Sequence, residues 1–216
     1  MPNNLKKRIF TSLGLIFVLT LMFYNMFILA YFLIIIGIFS ILEFTNMIKR
    51  IFKDKTYKSI LFNILFCSYI FLVLSAFLVL SYFSHLKILI FIILSTCIAS
   101  DIGGYIFGKL LRGPKLTKIS PHKTISGSLG SIIFSIIILS SLIYYFTNNF
   151  EMNIFIVGLL TSISCQLGDL FFSLLKRKSK IKDTGNILPG HGGVLDRVDG
   201  TLLGLPLGFI TMIVVY

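Results

Sequence analysis

The chain has 216 residues, 56% of them hydrophobic and only 13% charged, with a mean hydropathy of +0.95. A soluble domain of this length carries about a quarter charged residues, so the composition excludes one and indicates an integral membrane protein. The net charge of +12 invites a nucleic-acid partner, but the placement of the charges points to a membrane instead.

Apolar runs recur along the chain, and a spanning helix needs roughly 20 residues. Spans are expected at Ile9–Phe23, Met26–Ile48, Ile60–Leu80, Ile88–Phe107, Ser128–Phe146, Asn153–Leu175 and Thr201–Tyr216. The first is short, and its break at Tyr24-Asn25 is soft, so Ile9–Ile48 admits another division. Lys6, Lys7 and Arg8 also suit the basic start of a signal peptide. No small-residue cleavage site follows, and more spans come later, so a retained helix is expected. These runs are continuously apolar where barrel strands would alternate. The expected fold is therefore all-α: a polytopic membrane bundle of about seven transmembrane helices, forming a single membrane-embedded domain over 1–216.

With the amino terminus in the cytoplasm, only Lys87 of the twenty Lys and Arg residues falls on the opposite side. The opposite loops are short and nearly uncharged. This is the positive-inside pattern, and such a basic face also favours anionic lipid headgroups rather than nucleic acid. Cys67, Cys97 and Cys165 lie inside apolar spans with no CxxC pairing, and read as small buried hydrophobes.

Polar residues inside the spans carry the functional signal, because a carboxylate at membrane depth costs several kcal/mol (about 3 on insertion scales) and normally faces a protein interior or water. Asp101 closes the run Ile88–Ser100. It shares a helical face with Tyr105 and Lys109, and its bland reading is a solvated headgroup position. Gly104 and Gly108, four apart, read as a close helix–helix contact. Gly103–Lys109 matches GxxxxGK, but Leu110 replaces Ser or Thr and no strand precedes it, so a phosphate loop is rejected. The loop Ser120-Pro-His-Lys123-Thr124-Ile-Ser-Gly127 reads as an ordered turn into the next span. On α-helical spacing, Gln166, Asp169, Ser173 and Lys176 form one stripe. They offer acid, hydroxyl and ammonium along a line toward the next basic loop.

That loop is the densest feature. Ser173–Asp199, 27 residues, contains Lys176, Arg177, Lys178, Lys180, Lys182 and Arg197 beside Asp183, His191, Asp196 and Asp199, with glycines at 185, 190, 192 and 193. Carboxylates for a metal, cations for phosphates and glycines for close backbone approach are the requirements of nucleotide chemistry. Lys176 and Lys182 are the leading phosphate contacts, with Arg197 offering a bidentate one. Lys178 and Lys180 read as plain loop charges. Pro189–Gly193 reads as a tight turn whose N–H groups face phosphate. Asp196 and Asp199 would share a helical face.

These residues resemble a known family. Ser173-Leu-Leu-Lys176-Arg177, Lys182-Asp183, Gly185, Leu188-Pro189, His191-Gly192-Gly193 and Asp196-Arg197-Val198-Asp199 look like the signature of phosphatidate cytidylyltransferase, or CDP-diacylglycerol synthase. Gln166-Leu-Gly-Asp169, Asp101-Ile-Gly-Gly-Tyr105 and Gly108-Lys109 resemble the same family. The 120–127 loop is similar to the family's Ser-Pro-Lys-Lys-Thr-Trp-Glu-Gly but departs from it at His122, Ile125 and Ser126. The resemblance runs from Asp101 to the end, dividing a catalytic region, 101–216, from N-terminal helices over 1–100.

The resemblance implies transfer of CMP from CTP to phosphatidic acid, with a divalent cation, usually Mg²⁺, on Asp169 and Asp196, and a homodimer in the membrane. The catalytic candidates are Asp169, Lys176, Lys182, Asp183, Asp196 and Asp199, with Asp183 and Asp199 as supporting or alternative metal ligands. The substrate-binding candidates are Asp101, Lys109, Ser120, Lys123, Thr124, Ser173, His191, Gly192, Gly193 and Arg197. His191 reads as a hydrogen-bonding residue, since the phosphatidate oxygen is already anionic and needs no strong base. A bacterial cytoplasmic membrane with catalytic loops facing the cytoplasm is the expected location. A CTP-dependent lipid kinase and a small ion-coupled transporter are the alternatives. A CDP-alcohol phosphotransferase is discounted, because Asp196-Arg-Val-Asp199-Gly200 is followed by Thr201-Leu-Leu-Gly rather than the Ala-Arg of that family's motif.

Overall fold

A computed structural model describes residues 3–53, 55–117, 120, 123–187 and 192–215, without the side chains of 3–10. The described residues form seven helices: α1 (Asn3–Tyr24), α2 (Met26–Ile51), α3 (Thr56–Leu80), α4 (Ser84–Leu111), α5 (Ile125–Thr147), α6 (Asn153–Lys178) and α7 (Leu195–Val215). Six of them, α2 to α7, are long and apolar enough to cross a membrane, whereas the apolar part of α1, Thr11–Tyr24, is shorter. The chain is a polytopic helical membrane protein. Side chains exposed on α3 include Ile64, Phe71 and Leu72, a surface suited to lipid and costly in water.

Helix boundaries follow local chemistry. The division at Tyr24-Asn25 is real: the Asn25 side chain accepts from the N–H groups of Phe27 (2.9 Å) and Ile28 (3.2 Å), capping α2. Both α4 and α6 outrun their apolar stretches. The last turn of α6 carries Lys176, Arg177 and Lys178, cations that complement the carboxyl end of a helix. α6 then ends in a Schellman arrangement. Ile181 N–H donates to Lys176 O (3.0 Å) and Lys180 N–H to Arg177 O (3.1 Å), with Lys180 left-handed at φ 57°. Lys180, a plain loop charge by sequence, is thus the residue that turns the chain out of α6. Pro206 lies within α7, tolerable in a membrane helix where neighbours satisfy the freed carbonyl.

Two compact units are present, one comprising Met1–Lys87 with Leu175–Val198 and the other Ile88–Leu174 with Asp199–Tyr216. In the first, α2 packs on α3. Phe44 stacks on Phe66 with ring centroids 3.8 Å apart, and Phe52 on Phe62 at 5.4 Å.

The second unit is built on small residues. A Cβ added to Gly103 would stand 2.6 Å from Gly130 O, and one on Gly104 2.5 Å from Ser131 Oγ. The Gly104/Gly108 repeat therefore is the close contact expected of it, made with the first turns of α5. Where α6 meets α7, a Cβ on Gly168 would lie 2.7 Å from Asp199 O, and one on Gly200 3.2 Å from Cys165 O. Cys97 and Cys165 are buried as expected, but Cys67 is exposed. The buried stripe of α3 runs through Ser59, Phe66, Ile70, Val73 and Phe77, and Cys67 follows Phe66 by one residue, turned about 100° away around a helix of 3.6 residues per turn.

Candidate active site

Within the first unit, the signature loop is organised by carboxylates. Asp196, in the first turn of α7, pairs with Lys176 of α6 (Nζ to Oδ1, 2.8 Å), their side chains only 7% and 13% exposed. Its other oxygen, Oδ2, accepts from the N–H groups of Thr184 (2.8 Å) and Gly193 (3.0 Å). Asp196 thus ties the segment after Asp183 to the segment entering α7. Gly192 has φ +84°, and a Cβ there would approach Asp196 Oδ2 to 2.9 Å and Asp183 Cβ to 3.4 Å. Only glycine serves well at that turn. Asp183 therefore lies beside the Gly192 turn. Lys182, Asp183 and Arg197 are exposed to water. His191 lies outside the described residues, as do Leu188, Pro189 and Gly190.

Sequence reasoning missed Glu43. This residue of α2 is 4% exposed and accepts from three donors of the signature loop. Thr184 donates its hydroxyl (2.6 Å), and Val194 and Leu195 their N–H groups (3.0 and 2.9 Å). Its signal was a lone carboxylate within the apolar run Met26–Ile48, the cost argument that singled out Asp101 and Asp169.

In the second unit, Lys123 forms an ion pair with Asp169, whose Oδ1 also accepts from Ser173 Oγ (3.3 Å). The loop that carries Lys123 is closed by an antiparallel bridge between Lys115 and Thr124. Leu116 N–H donates to Lys123 O (2.8 Å) and Ile125 N–H to Pro114 O (3.0 Å). Thr124 caps α5, its hydroxyl oxygen accepting from Gly127 N–H (3.1 Å). Ser126, one of the departures, accepts from Gly113 N–H (3.3 Å). Ser120 O accepts from Lys123 N–H (3.1 Å), whereas Pro121 and His122 lie outside the described residues. Gln166 binds α5 at Ser128, accepting from its hydroxyl at 2.5 Å.

Asp199 is half-buried and accepts from Gly200 N–H through Oδ1 (2.9 Å). Its backbone is the one that crowds Gly168, next to Asp169 in sequence. On α4, Asp101, Tyr105 and Lys109 are exposed, with Lys109 Nζ 5.7 Å from the centre of the Tyr105 ring. Tyr105 and Lys109 line a surface groove with Ile106, Leu110 and Arg112.

The donor chemistry fits a hard cation. Mg²⁺ is usually held by one or two carboxylates, with water and substrate phosphates completing the shell. Asp169 and Asp196 each present carboxylate oxygens, which in this arrangement face ammonium, hydroxyl and N–H groups. Among the described residues, no three His, Cys, Asp or Glu side chains converge as a ready-made cage.

Comparison with known proteins bears on this arrangement. Residues 5–215 match the model of the "Cytidylyltransferase family". A phosphatidate cytidylyltransferase of Staphylococcus aureus (strain COL) is 45% identical over 118 residues, 53% of this chain and 45% of that protein. One of Staphylococcus haemolyticus (strain JCSC1435) is 47% identical over 118 residues, with the same coverage of each chain. One of Rickettsia bellii (strain RML369-C) is 46% identical over 119 residues, 50% of this chain and 51% of that protein. The chain thus matches about half the length of these curated relatives. Since the family match runs almost from end to end of the sequence, the chain belongs to the cytidylyltransferase family.

Proposed function

We propose that this chain transfers CMP from CTP to phosphatidic acid, giving CDP-diacylglycerol and pyrophosphate. The observation that carries the reading is the 45–47% identity to relatives named phosphatidate cytidylyltransferase. An oxygen of the phosphatidate phosphate attacks the α-phosphorus of CTP. The bond from that phosphorus to the β-phosphate bridging oxygen breaks, and pyrophosphate leaves with the electron pair. Negative charge gathers on several oxygens, so fixed cations that meet it without reorganising lower the barrier.

Lys176 is held by Asp196 at one end of the signature loop, and Lys123 by Asp169. Each is a fixed ammonium for a phosphate oxygen, with Lys182 and Arg197 reaching from exposed positions. Gly192 and Gly193 keep the turn beside Asp183 free of side chains, letting backbone approach a phosphate. Asp101, Lys109, Ser120, Thr124, Ser173 and His191 complete the proposed substrate-binding set, and Asp183 and Asp199 the acidic one. Asp169 and Asp196 are the carboxylates proposed for Mg²⁺, which when bound would neutralise phosphate charge.

Mixing CTP, phosphatidic acid and Mg²⁺ with detergent-purified protein tests this reading. Pyrophosphate should appear in step with CDP-diacylglycerol, and only with all three present. CDP released in place of pyrophosphate would favour a lipid kinase.

The location proposed is a bacterial cytoplasmic membrane with the basic loops in the cytoplasm, supported by the bacterial relatives and the positive-inside pattern. A homodimer is proposed from the family resemblance, and sedimentation in detergent tests it.

A further inference from the structure

We propose that Glu43 is a positioning residue for the transfer reaction: its buried carboxylate, on a helix outside the signature, sets the conformation of the signature loop. The proposal rests on the functional reading above, but its structural half stands on geometry alone.

Glu43 and Asp196 divide five donors of one loop. Asp196 Oδ2 takes the N–H groups of Thr184 and Gly193. Glu43 takes the Thr184 hydroxyl and the N–H groups of Val194 and Leu195. Thr184 is thus held by two carboxylates at once, through its backbone and through its side chain. Because Leu195 opens α7, the Glu43 charge also meets the positive end of that helix dipole. The fit is close. A Cβ on Gly185 would stand 2.7 Å from Glu43 Oε1, and one on Gly193 would collide with both Glu43 and Thr184. Two signature glycines are therefore required by Glu43 itself, which gives them a role besides phosphate approach.

Carboxylate is the group that suits this position. It offers acceptor sites on both oxygens and brings no donor. Gln at 43 would turn an NH₂ group toward a hydroxyl or N–H donor, leaving a buried donor unpaired. Loss of that grip frees Thr184 and the entry to α7, and Asp196 then holds Lys176 in a less defined place.

The test uses the full chain in detergent, with Glu43→Gln and the milder Thr184→Val, which removes only the hydroxyl. Amide exchange followed by mass spectrometry should accelerate in peptides containing Val194 and Leu195, with α3 and α5 unchanged. The kcat/KM for CTP should fall about 10- to 100-fold in Glu43→Gln, the range typical of groups that orient active-site ligands, and less in Thr184→Val. Wild-type exchange, or wild-type kcat/KM despite faster local exchange, would overturn the proposal. So would faster exchange in every helix, which marks a purely global effect. A wild-type chain without transfer activity would overturn the functional reading and the catalytic half of this proposal, while the exchange contrast reports on Glu43 alone.

Discussion

Lys176 and Asp196, twenty residues apart in sequence, form a 2.8 Å ion pair whose side chains are almost withdrawn from solvent. Breaking a buried pair leaves an uncompensated charge, at a cost of about 3–5 kcal/mol. Because Asp196 also accepts two loop N–H groups, it acts on the loop as well as on the lysine. Asp196→Asn is expected to reduce transfer at least about 100-fold, while leaving the protein inserted, as checked by membrane fractionation and product assay together.

The ion pair of Lys123 with Asp169 makes a separate prediction. Asp169→Asn should abolish Mg²⁺-dependent transfer with the helices intact by circular dichroism. Lys123→Met should raise the KM for substrate and leave membrane insertion unchanged. Mg²⁺-dependent activity retained in both Asp169→Asn and Asp196→Asn would contradict the proposed ligands.

Chelation by EDTA should stop turnover, and added Mg²⁺ should restore it. Ca²⁺ should restore less, since it accepts looser, larger shells than the near-octahedral one Mg²⁺ demands. Activity undiminished in EDTA would remove the metal from the account.

The glycine contact between α4 and α5 predicts a stability effect. Gly103→Val would drive a side chain into Gly130 O and Phe134 Cβ, each 2.6 Å from the added Cβ. Overpacking of this kind costs about 1–3 kcal/mol, visible as a lowered thermal midpoint in detergent. At Gly14 nothing lies within 4 Å, so Gly14→Val should leave the midpoint unchanged.

Ser126, where the chain departs from the family pattern, accepts from Gly113 N–H at 3.3 Å. Ser126→Ala should cost about 1 kcal/mol, the usual worth of one neutral hydrogen bond. Transfer should fall only a few-fold, about what 1 kcal/mol implies.

The helical architecture was legible because lipid demands long apolar runs, and the α4 glycines because their spacing puts them on one face. The signature marked the residues proposed for the chemistry. Pairings across long separations were not legible. Nothing in local pattern links Lys123 to Asp169, or Glu43 to Thr184, since both depend on how helices pack. Glu43 was open to inference from cost alone, as the lone acid of its span. Cys67 shows the reverse difficulty: a small residue in an apolar run carries no sign of which face it occupies, and on α3 it faces outward.

Following label from CTP into lipid tests the central claim most directly. With CTP labelled at the α-phosphate, the account predicts label in CDP-diacylglycerol; with CTP labelled at the γ-phosphate, it predicts label only in pyrophosphate. Lipid labelled from the γ-phosphate, or none labelled from the α-phosphate by folded protein with Mg²⁺ and phosphatidic acid, would contradict it.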